Sequence, residues 1–159
     1  MSSKRIALIT GATAGIGEAT AKLLAENNFR LIVCGRREDR LKSLTHTLSA
    51  STHVISLSFD VRNQKQTAAA LNSLPAEWKE IDVLVNNAGN AHGLSPIQSG
   101  EIADWDAMID INVKGLLYVS KEIISGMVSR QKGHIINIGS IAGKEVYPCL
   151  LYTSDAADE

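Results

Sequence analysis

The sequence predicts an α/β fold, a doubly wound parallel sheet, and three observations predict it. Short apolar runs alternate with longer segments of helical periodicity along the chain. The runs Leu31-Ile32-Val33, Val83-Leu84-Val85 and Ile135-Ile136 are continuously apolar, the pattern of strands covered on both faces. A glycine-rich turn, Thr10 to Gly17, joins the first strand to the first helix. On this pattern strands are expected near 5–10, 30–34, 53–58, 81–86 and 133–139, and helices near 15–27, 37–50, 63–73 and 104–130.

Composition narrows the class. The 159 residues suit one domain with a real core, and 45% apolar with 21% charged residues suits a soluble globular chain. No apolar run approaches the ~20 residues of a membrane helix. Met1 to Arg5 leads straight into a strand, so no signal peptide is expected. Two cysteines, Cys34 and Cys149, make no disulfide framework, which points to a reducing cytoplasm. The histidines His46, His53, His92 and His134 are scattered, so no metal is expected. A net charge of −1 argues against a nucleic-acid partner.

The first turn reads Thr10-Gly11-Ala12-Thr13-Ala14-Gly15-Ile16-Gly17. Gly11 lets the chain turn off the strand, Gly15 leaves backbone bare for a pyrophosphate, and Gly17 lets the helix lie close on the sheet. The helix start offers N–H groups and the positive end of its dipole. Gly11, Thr13, Ala14, Gly15, Ile16 and Gly17 are therefore candidate cofactor contacts in a Rossmann-type unit. In the first helix Ile16, Ala19, Thr20, Leu23 and Leu24 repeat at helical spacing.

A carboxylate usually ends the second strand and holds the ribose hydroxyls. Here that strand ends Cys34-Gly35-Arg36-Arg37, with no acid before Glu38. Two guanidinium groups suit a 2′-phosphate, so the expected cofactor is NADP. The alternative is that Arg36 and Arg37 are solvated helix-start residues. Cys34 reads as a small core residue. Phe59-Asp60-Val61 closes the third strand, where Asp60 taken alone reads as a cap for the next helix.

The fourth strand ends Asn86-Asn87-Ala88-Gly89. Small residues there permit close approach of a ligand, and the asparagine amides can tie neighbouring strands. In the long helix Trp105, Met108, Ile109, Asn112, Leu116, Val119 and Ile123 form one stripe, and Val113, Leu117, Ile124 and Val128 a second. A helix so widely apolar is expected to pack on the sheet and on another subunit. Asn112 falls within the first stripe, where a buried amide needs partners. Ser140 follows the fifth strand, at the carboxyl end where ligands of open α/β sheets bind. It reads as an electrophilic stabiliser rather than a nucleophile.

The Thr10-Gly-x-x-x-Gly-x-Gly17 turn, the Asp60-Val61 pair and Asn86-Asn87-Ala88-Gly89, in this order and spacing, resemble the short-chain dehydrogenase/reductase family. The resemblance covers residues 4–148. It implies adenine contact by Asp60 and Val61 and a cofactor wall of Asn87, Ala88 and Gly89. It implies two catalytic residues: Ser140, bonding the substrate carbonyl or alcohol, and Asn112, holding a water in a proton relay. The stretches Leu74 to Trp78, Asp104 to Asp110 and Gly133 to Ser140 look like the branch oxidising serine and other 3-hydroxy acids. That branch is usually tetrameric, so a homotetramer or homodimer is expected.

The family's Tyr-x-x-x-Lys is expected roughly a dozen residues after Ser140, the tyrosine as general acid/base and the lysine lowering its pKa. Tyr152 stands at that distance, but Ala156 occupies the lysine position. Cys149 to Glu159 reads as a translated transposon-end sequencing adapter. The expected organisation is an incomplete dinucleotide-binding domain over 1–148, truncated after the fifth strand, and a non-native tail over 149–159. Such a fragment is expected to be inactive and poorly soluble, with the fifth strand an apolar edge. The expected parent is an NADP-dependent oxidoreductase moving hydride between nicotinamide and a secondary alcohol or its carbonyl. A non-catalytic dinucleotide sensor is the alternative, and epimerisation or dehydration on the same scaffold a third.

Overall fold

A computed structural model of the chain describes residues 4–93 and 95–141. Cys149–Glu159, with Tyr152, lies outside the described residues. Strands β1 (Ile6–Ile9), β2 (Arg30–Gly35), β3 (Val54–Ser58), β4 (Val83–Asn86) and β5 (His134–Asn137) form one parallel sheet in the order β3-β2-β1-β4-β5. Helices α1 (Gly15–Glu26), α2 (Glu38–Leu48), α3 (Gln64–Asn72), α4 (Ile102–Ile109) and α5 (Leu116–Ser129) connect them. The expected α/β Rossmann-type sheet is present and its described part ends after the fifth strand. The chain leaves β1 toward β2 and β3, then returns to the other side of β1 as β4. The sheet therefore has its switch point between β1 and β4, and ligands of such folds bind beyond the carboxyl ends there.

Strand alternation divides the core into two layers. Ile6, Leu8, Ile32, Cys34 and Leu84 face Leu71 of α3 and Val119, Ile123 and Met127 of α5. Ala7, Ile9, Leu31, Val33 and Val85 face Ala21 and Ala25 of α1 and Leu41, Leu44 and Leu48 of α2. Each large apolar side chain so buried contributes about 1.5–3 kcal/mol.

Three expectations are corrected. The face of α1 against the sheet is Gly17, Ala21 and Ala25, whereas Ile16 and Leu23 are exposed. Small residues carry the contact because the helix lies close on the strands. β5 is not covered on both faces: Ile135 is half-buried against the layer that holds α5, whereas Ile136 is exposed and no β5 residue joins the other layer among the described residues. The expected helix 104–130 is not continuous. A π-helical turn, Asp110–Gly115, separates α4 from α5. Such bulges insert an extra residue into the helical ladder and commonly mark functional sites. A Cβ on Gly115 would stand 2.8 Å from Val61 Cγ2, so glycine lets the turn press on the loop after β3.

Candidate functional site

The carboxyl ends of the strands open into one cleft of about 1010 Å³. Gly11, Thr13, Ala14 and Ile16 line it from the β1–α1 turn. Arg36 and Arg37 line it from the end of β2, Asp60 and Val61 from the end of β3. Asn87, Ala88 and Gly89 follow from β4, Asn112 from the π-turn and Ser140 from beyond β5. Gly15 and Gly17 are not on that wall. Gly15, at φ +54°, lies on the exposed turn with nothing within 4 Å of where a Cβ would stand. Gly17 is buried beneath, where a Cβ would overlap Asn87 Nδ2 and the Gly11 carbonyl oxygen.

The turn is bound to β4 by a small network. Buried Thr10 accepts on Oγ1 from the N–H groups of Asn87 and Ala88, both at 3.0 Å. Asn87 Nδ2 donates to the Thr10 and Gly11 carbonyls at 3.0 and 3.1 Å. Asn86 Nδ2 donates to Asn137 Oδ1 of β5 at 2.9 Å and to Ser120 Oγ of α5 at 3.0 Å. The asparagine pair does tie strands, Asn87 toward β1 and Asn86 toward β5. Gly11 has φ +62°, and a Cβ there would stand 2.9 Å from Ala88 Cα, so glycine is required at this contact. Ala14, before α1, has no side-chain capping bond, which leaves the first-turn N–H groups facing outward.

At the β2–β3 end the charges are paired unequally. Arg62 holds Asp60 through three side-chain bonds, Nη2 to Oδ2 being 2.6 Å, while Arg36 Nη1 lies 3.8 Å from the same oxygen. The Arg62 guanidinium keeps the Asp60 carboxyl below its ordinary range against the opposing effect of burial. Arg36 remains 56% exposed and Arg37 donates to Thr13 Oγ1 at 3.2 Å. Asp60 is not the cap of α3. Asn63 is, its Oδ1 accepting from Gln66 N–H at 3.1 Å. The spacing misleads because Asp60 stands three residues before the capping Asn63, and Arg62 takes up its carboxylate. Burial pushes the Cys34 thiol well up, in keeping with a core residue.

Asn112 is exposed rather than buried: it stands on the π-turn and lines the cleft. Its amide is nonetheless doubly bonded: Oδ1 accepts from Asn90 N–H at 3.0 Å and Nδ2 donates to Asn90 O at 2.8 Å. A Cβ on Gly89 would stand 2.9 Å from Asn112 Oδ1, so the loop after β4 passes flush over this side chain. Sequence reasoning did not single out Arg62, Asn63 or Asn90. Only Asn63, a cap-type residue before a helix, carried a local signal.

The cleft and the turn at its edge fit a phosphorylated dinucleotide: bare backbone at Gly15 beside the wall, uncapped helix N–H groups, and a largely exposed arginine beside a carboxylate already neutralised by Arg62. Among the described residues no group of three or more histidine, cysteine or acidic side chains could hold a metal ion, and no helix is long and apolar enough to cross a membrane.

Comparison with known proteins agrees with this geometry. The chain is 49% identical over 142 residues to the NADP-dependent 3-hydroxy acid dehydrogenase YdfG of Salmonella typhi, covering 89% of this chain and 56% of that protein. Identity to the same enzyme of Escherichia coli K12 is 46% at the same coverage. The closed form of serine dehydrogenase complexed with NADP+ superposes with a TM-score of 0.84 at 46% identity, over 91% of this chain and 57% of that one. Serine dehydrogenase from Escherichia coli gives 0.84 at 45%, over 91% and 65%. The chain thus spans a little over half the length of the curated relatives it matches. The short chain dehydrogenase family profile matches residues 5–154, and the chain belongs to that family.

Proposed function

We propose that this chain is the dinucleotide-binding part of an NADP-dependent oxidoreductase acting on a 3-hydroxy acid such as serine. The observation that carries the proposal is Arg36, largely exposed where β2 leaves the sheet, beside an Asp60 whose charge Arg62 has taken up. A 2′-phosphate would find a guanidinium there and no competing unpaired carboxylate. Two of the relatives it matches are named NADP-dependent 3-hydroxy acid dehydrogenases, which supports the same reading.

The bound dinucleotide would supply the hydride acceptor or donor. Gly11, Thr13, Ala14, Gly15 and Ile16 would hold its pyrophosphate against the start of α1, with Gly17 setting the helix close. Arg36 and Arg37 would hold the 2′-phosphate, and Asp60 and Val61 the adenine. Asn87, Ala88 and Gly89 would form the wall beyond, fixed by Thr10. Ser140 would bond the substrate oxygen at the carboxyl end of β5. Asn112 would serve the proton relay from the π-turn while its amide clamps Asn90.

The second apolar stripe, Val113, Leu117, Ile124 and Val128, lies exposed, joined by Ile109. A continuous apolar face on a helix pair is what a subunit interface covers, so we propose a homodimer or homotetramer. We propose the cytoplasm as its compartment, since the chain's two cysteines, Cys34 buried in the core and Cys149, make no disulfide framework. NADP+ reduction by the intact protein with serine, lost in Ser140→Ala, is the expected result. No turnover with any 3-hydroxy acid contradicts the proposal.

A further inference from the structure

Asp60 and Arg36 both line the cleft, whereas Arg62, in the loop after β3, is not on its wall. Val61, between Asp60 and Arg62, is buried and pressed against the π-turn at Gly115, so the backbone that carries the pair is held in place. Arg62 takes up both carboxylate oxygens of Asp60. Its main-chain N–H and Nε donate to Oδ1 at 3.0 and 3.1 Å, and Nε and Nη2 donate to Oδ2 at 3.0 and 2.6 Å. Arg36 Nη1 stands 3.8 Å from that same Oδ2, outside hydrogen-bonding range, and pairs with no other carboxylate among the described residues. Two guanidinium groups thus face one carboxylate, and Arg62 holds it. Without Arg62, a movement of about 1 Å brings Arg36 onto Oδ2. A fork paired with a carboxylate has its charge compensated and offers a phosphate far less. A partly exposed ion pair adds little to stability, so the consequence of this one is to be sought in the ligand.

We infer that Arg62 is a positioning residue for the choice of dinucleotide: by occupying Asp60 it keeps the Arg36 guanidinium open to a 2′-phosphate, without touching the ligand itself. This role rests on the proposed function and extends it to a residue outside the cleft. The Asp60 carboxyl is held below its ordinary range, first by the Arg62 bond, so it is charged at neutral pH and would draw Arg36 if left unpaired. NAD+ carries a hydroxyl in place of the phosphate and gains far less from a free Arg36, so Arg62 acts on one dinucleotide and hardly on the other.

Calorimetric titration of the intact protein with NADP+ and NAD+ tests this on binding alone. Arg62→Met, which keeps an apolar stem and deletes the charge, should weaken NADP+ at least about 5-fold while NAD+ stays within about 2-fold. Arg62→Lys, which keeps a cation beside Asp60, should hold the ratio of the two affinities above that of Arg62→Met. Adding Asp60→Asn to Arg62→Met should restore the ratio, whatever it does to each affinity, because Arg36 then meets no carboxylate. An unchanged ratio in Arg62→Met overturns the inference, as does an equal loss of both dinucleotides, the mark of a merely structural residue. A lowered ratio that Asp60→Asn does not restore also overturns it, since Arg62 then meets the phosphate directly. A wild type that binds both dinucleotides alike removes the proposed function first, and this role with it.

Discussion

Thr10 and Asn87 clasp each other across β1 and β4: Thr10 Oγ1 accepts from Asn87 N–H at 3.0 Å, and Asn87 Nδ2 donates to Thr10 O at 3.0 Å. The pair closes the switch point of the sheet from both sides. The first testable consequence concerns Thr10→Val, which keeps the shape and deletes the acceptor. The N–H groups of Asn87 and Ala88 are then unpaired, at a cost of about 2–4 kcal/mol. Thermal denaturation of the intact protein should show Tm lowered by roughly 5–15 °C. An unchanged Tm would mean that water replaces the hydroxyl and the clasp is not structural.

Gly17 is where α1 touches the strand ends. A Cβ there would overlap Asn87 Nδ2 and the Gly11 carbonyl, so Gly17→Ala must lift the helix or displace Asn87. Either change moves the phosphate-facing turn. Dinucleotide affinity, by calorimetry, should fall at least about 10-fold, or ~1.4 kcal/mol. Wild-type affinity in Gly17→Ala would show that the close approach does not shape the site.

Asp82 sits just before β4, only 15% exposed, and accepts from Ile6 N–H at 2.9 Å while Lys132 Nζ lies 2.7 Å away. Burial raises its pKa, but the Lys132 and Ile6 bonds outweigh that and hold it below its ordinary value. A depressed folded pKa gives stability that is present above the unfolded value of about 4 and lost as pH falls through the folded one. Asp82→Asn should therefore cost about 1–2 kcal/mol at pH 7, with the gap to wild type shrinking as pH drops below about 4. Urea midpoints across pH check this, and a gap that does not shrink contradicts it.

Leu117 and Val128 are 56% and 68% exposed on one side of α5. Leu117→Glu places a charge in that apolar stripe and should dissociate the intact protein into smaller species in sedimentation velocity. A monomeric wild type would remove the proposed interface.

Much of this was legible in the sequence because it depends on local pattern. Alternation set the order of strands and helices, and glycine spacing marked Gly11 and Gly17, where the structure shows backbone contacts a Cβ would spoil. The unusual Asn86-Asn87 pair announced its strand-tying role. The illegible parts depend on which partner wins in three dimensions. Asp60 looked like a cap, but Arg62 takes up its carboxylate and Asn63 caps the helix instead. Asn112 looked buried, because helical counting assumes 3.6 residues per turn and the π-turn breaks that count. The burial of α1 through Gly17, Ala21 and Ala25 defied hydrophobicity, since closeness rather than apolar bulk selected its face.

The central claim is that Arg36 reads a 2′-phosphate which the Arg62–Asp60 pairing leaves it available to bind. Calorimetric titration of the intact protein with NADP+ and NAD+, repeated on Arg36→Asp, tests it most directly. NADP+ should bind at least about 10-fold more tightly than NAD+ to the wild type, and Arg36→Asp should abolish or reverse that preference. Equal affinity for the two dinucleotides, uptake of neither, or an unchanged preference in Arg36→Asp would contradict the account.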